Sequence, residues 1–472
     1  MPHRGMRGLA SDDNKGRLRS GSMLRRQSTG AAPGKTMQSR VARGQVAPWL
    51  FLAAVLTGPA ALPVWARDYF VAPNGHDSGL GTIDAPFQTI QKAADVMEPG
   101  DTCYVRAGTY RETVVLKRSG RPDAPIRFTA YPGEIVVLDG TEPIEGRWTR
   151  YKAAIYKTRT HRRFEQLFVD GRMMLEARWP NTTFEKLLTR DGWASAGPGS
   201  TYQKLRDPEL AATGIDWTGA TAVLNVAHQF WTWSRPVLNH RRGGDTFEYR
   251  IKMNPFHSQR KGWWDDDFYY LIGKLEALDH PTEWYLAQTG TLYLWPPDGR
   301  NPSGRDVRAK ARDYGFRGAN LRHVQLSGFH FFACTFVLEN AEHCRVENCH
   351  LRFPSFVRGV PDAEEPPRKS AGTRISGRDD VVRNCSLAYS ANFGIEVRGQ
   401  RNLVENCLIH DVNWSGTLRY TAISLSGDKD DPRPANAARY NTVYNVGNTI
   451  ITSNSNRYGV IEYNHVHHGG LI

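Results

Sequence analysis

The chain has 472 residues, of which 40% are hydrophobic and 11% aromatic, and it contains 44 glycines, 27 prolines and 13 tryptophans. This composition excludes a coiled coil, a helical bundle and a wholly disordered chain, and the length indicates at least two structural units. The formal net charge of +13 would suit a nucleic-acid or membrane partner, so its position along the chain decides what it means.

Residues 1–66 are predicted to be a leader that contains a signal peptide. Residues 1–43 hold ten lysines and arginines against two acids, which is +8 of the +13, and residues 44–66 carry no charge. A basic segment, an apolar segment and a final Val64-Trp65-Ala66 are typical of a cleaved export signal; an uncleaved membrane anchor is the open alternative. Its removal leaves a net charge of +5. We therefore expect a secreted or periplasmic protein, with no stable membrane span and no nucleic-acid partner.

Residues 67–140 are predicted to form an N-terminal cap and the first coils of a repetitive β-fold. Apolar residues recur at helical spacing over Thr89–Met97, with Thr89 as the N-cap, and Pro99-Gly100-Asp101 ends this helix. Evenly spaced short strands follow, each bounded by Gly, Pro or Asp, at Thr102–Val105, Thr113–Leu116, Ile126–Ala130 and Ile135–Leu138. Strands of this length and spacing indicate a solenoid or a sandwich.

Residues 141–310 lose this pattern and are predicted to be an inserted β-rich domain. They hold ten of the 13 tryptophans, and they contain alternating strands at Thr221–Ala227, Thr246–Met253 and Gly290–Trp295. Most of these tryptophans are expected in the domain core, because an indole ring buries a large apolar area.

Trp263 and Trp264 are predicted to be surface residues that bind substrate. They precede Asp265-Asp266-Asp267, and three consecutive acids must lie near water. A calcium site at these aspartates is an alternative to the expectation of no cofactor, although three consecutive acids lack the ligand spacing of a known calcium loop.

Residues 311–472 are predicted to be further coils of the solenoid. The segments Val346–Leu351, Val382–Leu387 and Val404–Ile409 share the core Val-x-Asn-Cys, and Cys385 and Cys407 are 22 residues apart. A period in the low twenties is typical of β-helix coils, in which each coil buries its residues against the next. The last coil ends at Ile472 without a polar cap, so we expect that the solenoid is truncated there.

The cysteines of these coils are predicted to be stacked free thiols. Cys349, Cys385 and Cys407 share one coil position, where a thiol behaves as a small hydrophobic group. A disulfide that involves Cys334 and Cys344 is the open alternative, because export would permit one.

Several segments resemble known secreted proteins. Phe70–Gly75, Ala85–Ala93 and Gly108–Glu112 resemble the opening of right-handed parallel β-helix proteins. Gln166–Gly171 and Glu176–Asn181, with Glu283–Leu286 and Gly290–Pro297, resemble the insertion domain of glycoside hydrolases of the family 141 type. The resemblance implies an all-β right-handed parallel β-helix with an N-terminal capping helix and an inserted β-rich domain. It also implies a fucosidase or xylanase activity on a polysaccharide.

The candidate catalytic residues lie beside two predicted loops, 354–375 and 414–437. Asp411 is the first candidate, and the adjacent His410 could share a proton with it. Glu396 lies one coil earlier, and Asp428 lies in the second loop. The open alternatives are that Asp411 caps a coil turn and that Glu396 pairs with Arg398. Besides Trp263 and Trp264, the predicted substrate-binding residues are Trp414 and Arg398.

The resulting functional hypothesis is an exported, monomeric carbohydrate-active enzyme that hydrolyses a complex polysaccharide with paired carboxylates. A lyase or epimerase acting on uronates is the second hypothesis, for which Arg398, Lys429 and His410 could supply the cation and the base. A non-catalytic glycan-binding protein is the third. No metal ligands are predicted, because the sequence has no Cys-x-x-Cys pair.

Overall fold

The computed structural model describes residues 66–201, 203–226, 231–250, 267–360, 372–427 and 435–472. The predicted leader therefore lies outside the described residues, except for Ala66. Within the described residues, no helix is long and apolar enough to cross a membrane.

The N-terminal part contains one helix and the first strands. In chain order they are β1 (Asp68–Val71), α1 (Ile90–Val96), β2 (Thr102–Val105), β3 (Gly108–Tyr110), β4 (Val114–Leu116), β5 (Ile126–Ala130) and β6 (Val136–Asp139). The predicted strands at Thr102–Val105 and Ile126–Ala130 have the observed bounds.

The middle part contains mostly antiparallel strands. They are β7 (Thr141–Pro143), β8 (Thr149–Lys152), β9 (Ile155–Arg159), β10 (Leu167–Val169), β11 (Arg172–Glu176), β12 (Arg178–Trp179), β13 (Ala194–Ser195), β14 (Lys204–Arg206), β15 (Thr221–Asn225), β16 (Thr232–Pro236), β17 (Asn239–His240), β18 (Thr246–Glu248), β19 (Phe268–Ile272), β20 (Glu283–Leu286), β21 (Thr291–Leu294) and β22 (Val307–Lys310). Helix α2 (Pro208–Ala212) follows β14, and single 3-10 turns occur at Phe184–Lys186, Arg190–Gly192 and Leu275–Ala277.

In the C-terminal part, the described residues form strands and no helix. They are β23 (Tyr314–Ala319), β24 (Val324–Ser327), β25 (Phe329–Phe332), β26 (Thr335–Glu342), β27 (Arg345–Glu347), β28 (His350–Arg352), β29 (Thr373–Arg378), β30 (Val381–Arg383), β31 (Ser386–Ser390), β32 (Ile395–Gln400), β33 (Leu403–Glu405), β34 (Leu408–Val412), β35 (Ile423–Ser426), β36 (Ala437–Arg439), β37 (Thr442–Val446), β38 (Ile451–Asn454), β39 (Val460–Glu462) and β40 (His465–Gly469).

The strands of the first and last parts form three parallel sheets around one core. Among the described residues, sheet I has the order β1-β2-β5-β24-β27-β30-β33-β36-β39, sheet II has β3-β6-β25-β28-β31-β34-β37-β40, and sheet III has β4-β23-β26-β29-β32-β35-β38. Each coil contributes one strand to each sheet in turn, which is the architecture of a parallel β-helix. The predicted fold class is confirmed.

Alternation of inward apolar and outward polar residues builds the core of the solenoid. Phe128, Phe316 and Phe329 come from three different strands and meet inside it, with ring centroids 5.8 and 5.1 Å apart. Helix α1 closes the N-terminal end, as predicted. Thr89 accepts a hydrogen bond from the amide of Lys92, and the Glu112 carboxylate accepts two more from Ile90 and Gln91 at 2.9 Å each.

Columns of cysteine and asparagine run inside the solenoid turns. Cys349, Cys385 and Cys407 are buried free thiols, and the column continues into Asn441, whose side chain accepts the amide of Cys407 at 2.9 Å. All six cysteines lie within the described residues and are unpaired, so the prediction of stacked thiols is confirmed.

We expect that a thiol reagent modifies no cysteine in the native protein and six cysteines after denaturation without a reductant. Burial protects the thiols, and it raises the pKa of Cys344 to about 12, which removes the reactive thiolate. A spectrophotometric thiol titration checks this count. Fewer than six thiols in the denatured chain would reveal a disulfide.

The strands of residues 141–310 pair only with one another in the described part of the chain, in sheets of eight, five and three strands. Trp148, Trp193, Trp217, Trp233 and Trp284 are buried, as expected of core residues. One predicted boundary is wrong. The segment 414–437 is not a single loop, because Ile423 and Leu425 point into the core and form β35 of sheet III within it.

Candidate functional site

Three excursions of the chain leave the solenoid at the same corner, the turn from sheet II to sheet III. Residues 141–310 lie between β6 and β23, residues 353–372 between β28 and β29, and residues 413–422 between β34 and β35. Excursions that leave one corner in every second coil build a wall along one edge of sheet II. The outer face of sheet II beside this wall is therefore the candidate site.

A row of rings stands on that face. His410, Tyr444 and His467 occupy one register of β34, β37 and β40. Their ring centroids are 4.9 and 5.1 Å apart and the planes are parallel within 3° and 2°. We call these three residues the ring ladder. Because the faces cover one another, the ladder presents polar ring edges to solvent, one per coil at a spacing of about 4.8 Å.

A second column lies next to the ring ladder, where the strands of sheet II bend toward the corner. Phe353, Tyr389, Asp411, Asn445 and His468 all have left-handed backbone conformations, with φ between 52° and 62°. Tyr389 lies edge-on to His410, with ring centroids 5.7 Å apart. This backbone conformation is uncommon outside glycine, so its recurrence in successive coils shows that it belongs to the coil turn.

His410 and Asp411 form a close pair in this setting. The His410 Nδ1 and Asp411 Oδ2 atoms are 2.6 Å apart, and the other carboxylate oxygen accepts a bond of 3.1 Å from the Asn445 amide. The two side chains are 18% and 24% exposed, so solvent or a ligand can reach them. A His410 tautomer that donates Nδ1–H to Asp411 leaves Nε2 as an acceptor, which is the arrangement of a general base with a carboxylate that orients it.

Neighbouring groups shape the electrostatics of this pair. Burial and then the charge of Asp411 raise the pKa of Tyr444, which keeps its hydroxyl protonated and able to donate. Arg352 lies two coils before His410 in the same register, and its guanidinium is 5.6 Å from the Tyr389 ring. The site therefore combines a base, a phenol and a cation.

Glu396 is placed elsewhere. It lies on β32 of sheet III, where its side chain is 5% exposed and accepts bonds of 2.7 and 3.0 Å from Arg374 and one of 3.0 Å from Arg398. The expected pairing with Arg398 is present, but Glu396 is buried rather than solvated. The structure joins Glu396 to two arginines on sheet III, not to His410 and Asp411.

Trp414 links the pair to the wall. Its Nε1 donates to the Asp411 carbonyl at 3.0 Å, and its ring packs against Phe184 and Phe356, with centroids 5.8 and 6.3 Å away. The other predicted site residues, Asp428, Lys429, Trp263 and Trp264, lie outside the described residues, as do two of the three aspartates considered for calcium. Among the residues that the structure describes, no group of three or more potential ligands could hold a metal ion.

Sequence reasoning missed Tyr389, Tyr444 and Asn445. The signal was available, because aligning the coils on their Asn and Cys positions places His410, Tyr444 and His467 at one position of the repeat. These residues stand out only when outward positions are compared between coils.

Comparisons with known proteins agree with this architecture. A model described as "Pel9A-like, right handed beta helix region" matches residues 69–204, and one described as "Right handed beta helix region" matches residues 334–471. A solved structure described as a glycoside hydrolase superposes on 85% of this chain and 97% of its own, with a TM-score of 0.51 and 16% identity.

Curated relatives match a shorter segment. Pectate lyase PEL9 of Emericella nidulans is 45% identical over 96 residues, and the uncharacterized protein YwoF of Bacillus subtilis is 38% identical over 104 residues. Each match covers 20% of this chain and 22% of the relative, so the chain spans about a fifth of each relative's length. The family models and the three parallel sheets together show that the chain folds as a right-handed parallel β-helix.

Proposed function

We propose that this protein is a carbohydrate-active enzyme that binds a polysaccharide along the outer face of sheet II and cleaves it at His410 and Asp411. The observation that carries the proposal is the ring ladder, in which one member, His410, forms an acid–base pair with Asp411. The same proposal includes export by the leader to a secreted or periplasmic location. The polysaccharides that such an enzyme would cleave lie outside the cell.

The ring ladder suits an extended glycan. Imidazole nitrogens and a phenol hydroxyl both donate and accept hydrogen bonds, as sugar hydroxyls do. One ring edge per coil offers a hydrogen-bonding group at each step along the solenoid axis, so successive sugar residues can meet equivalent partners. The known proteins named above support this class of ligand, because one is a pectate lyase and another a glycoside hydrolase.

Hydrolysis is the first candidate reaction. It needs two carboxyl groups, one as proton donor and one as base or nucleophile. Asp411 supplies a carboxyl group held by His410 and Asn445. The second carboxylate remains the proposal made from the sequence, Asp428, which lies outside the described residues.

Elimination on a uronate is the second candidate, and a specific arrangement favours it. Asp411 orients His410, whose Nε2 can remove the proton next to the uronate carboxylate, and exposed Arg352 lies two coils away to neutralise that carboxylate. This reaction breaks the glycosidic bond without water and leaves a double bond in the product.

A single assay separates these reactions. The full chain is incubated with neutral and uronate-containing polysaccharides, and both reducing ends and ultraviolet absorbance of unsaturated sugars are followed. We expect reducing ends to appear. Reducing ends alone identify hydrolysis, and equal amounts of reducing ends and absorbance identify elimination. Binding without either product across the panel would contradict an enzymatic function and leave a glycan-binding protein.

A further inference from the structure

A cavity of about 90 Å³, partly open to solvent, lies between the excursion 141–310 and the two later excursions at the corner. Four aromatic side chains line it, namely Trp193, Tyr270, Phe356 and Trp414. Trp414 both lines the cavity and donates to the Asp411 carbonyl, so it connects the cavity to the His410–Asp411 pair.

The charged groups of the cavity cancel one another. Glu176 holds Arg358 in a two-bond pair of 2.7 and 2.8 Å, and the Arg358 amide donates to Glu165 at 2.8 Å. Burial alone would lower the pKa of Arg358, but the charge and hydrogen bonds of Glu176 together with the charge of Glu165 outweigh it. The pKa is therefore raised, and the guanidinium stays charged. Two carboxylates therefore face two guanidiniums, those of Arg358 and Arg178.

Arg178 is occupied by the protein. Its guanidinium lies 3.7 Å from the centroid of the Tyr270 ring and donates to the carbonyl oxygens of Pro180 and Gly192. An anionic ligand would therefore find both arginines already paired, and it would also meet two carboxylates. A neutral ligand with many hydroxyl groups meets no such repulsion, and it can use donors, acceptors and aromatic faces together.

We propose that this cavity binds one neutral sugar residue, a branch or an end of the polysaccharide whose main chain lies on the ring ladder. The proposal rests on the proposed function, because the ring ladder supplies the path of the main chain. The cavity then selects polysaccharides that carry a branch or a chain end next to the cleaved bond, since Trp414 connects the bound sugar to the cleavage site.

Binding of two matched probes tests the charge argument without turnover. Methyl β-glucoside and methyl β-glucuronide share one ring and differ in a hydroxymethyl group against a carboxylate. Titrated calorimetrically or by NMR into the full chain, the glucoside should bind at least fivefold more tightly than the glucuronide. The Glu176→Gln variant should reverse this order, because the cavity then carries one net positive charge.

Glu405→Gln is the matched control. Glu405 is also 15% exposed and paired with arginines, Arg383 and Arg439, but it lies on sheet I, away from the cavity. It should change neither affinity. Glu165→Gln, which keeps an acceptor for the Arg358 amide, provides a milder second variant if Glu176→Gln does not fold.

The results separate the two proposals. Equal or tighter binding of the glucuronide by the native protein, or affinities that Glu176→Gln and Glu165→Gln leave unchanged, would overturn the neutral-sugar site even if the enzyme cleaves polysaccharides. Probe binding as expected in a protein that cleaves nothing would leave this site standing and refute the enzymatic function.

Discussion

Replacement of His410 by alanine should lower kcat on the cleaved polysaccharide by about 10²- to 10⁴-fold, the usual contribution of a positioned acid or base. In an elimination the imidazole removes the proton, and in a hydrolysis it holds the Asp411 carboxyl group from 2.6 Å, so its loss affects either reaction. Steady-state kinetics of the purified full chain measure the effect. The melting temperature should change little, because the side chain stands on an outer face.

His343→Ala is the matched control for this experiment. His343 is a partly exposed histidine of another turn of the solenoid, where it stacks on His323 with centroids 4.9 Å apart. Its replacement should leave kcat within about twofold. Activity of His410→Ala equal to that of His343→Ala would show that the pair is structural.

Replacement of Asp380 by asparagine should stabilise the protein by about 2–4 kcal/mol at pH 8 and by much less at pH 5. Asp380 occupies a buried column otherwise made of Asn402, Asn436 and Asn456, and its Oδ1 accepts the Cys344 amide at 2.8 Å. Its Oδ2 is buried without a hydrogen-bond partner. In the same column, the side-chain amides of Asn402 and Asn436 donate to backbone carbonyls.

The pH dependence follows from the shifted pKa. Burial, opposed by the bond from Cys344 and reinforced by the charges of Asp379 and Glu342, raises the pKa of Asp380 from 3.8 to about 7. The native state therefore binds a proton that the unfolded state releases, and stability falls as the pH rises from about 4 to about 7. Asparagine is neutral at every pH and removes this loss.

Melting temperatures of the native protein and the variant at pH 5 and pH 8 measure the effect. The difference between them should grow by a few °C toward pH 8. Asp379→Asn is the control, because Asp379 is bonded to Arg401, which lowers its pKa, so its replacement brings no gain at pH 8. If Asp380→Asn is no more stable than the native protein at pH 8, this would contradict the conclusion that Asp380 Oδ2 is buried without a hydrogen-bond partner.

The repetitive parts of the fold were predictable because each coil repeats the same burial pattern. The Val-x-Asn-Cys segments locate the strands of sheet I and the turns that follow them, and Thr89 marks the start of α1. Gly108–Tyr110 and Ile423–Ser426 were not predicted as strands. The first has only three residues and the second lies within a predicted loop, so their pairing with adjacent coils is what identifies them as strands.

Some residues of the candidate site were likewise predictable from the sequence, and others were not. The adjacency of His410 and Asp411 along the chain made their pairing predictable, and the positive φ of Asp411 in a coil turn brings the carboxylate to Nδ1. Tyr444 and Asn445 could not be found from local sequence, because residues of different coils meet only after stacking. Glu396 was grouped with Asp411 because the two lie in neighbouring coils, and the sequence does not show that their strands belong to different sheets.

The sequence by itself determined the solenoid, the free cysteines and the close His410–Asp411 pair, because burial and nearest neighbours act within one coil. Only the tertiary structure decided which outward side chains form the ring ladder, which acids are neutralised by arginine, and that Trp414 contacts both Asp411 and a cavity. Outward residues carry no burial pattern of their own. Their partners are set by the register of stacked coils and by the excursions that cover one corner, and both exist only in the folded chain.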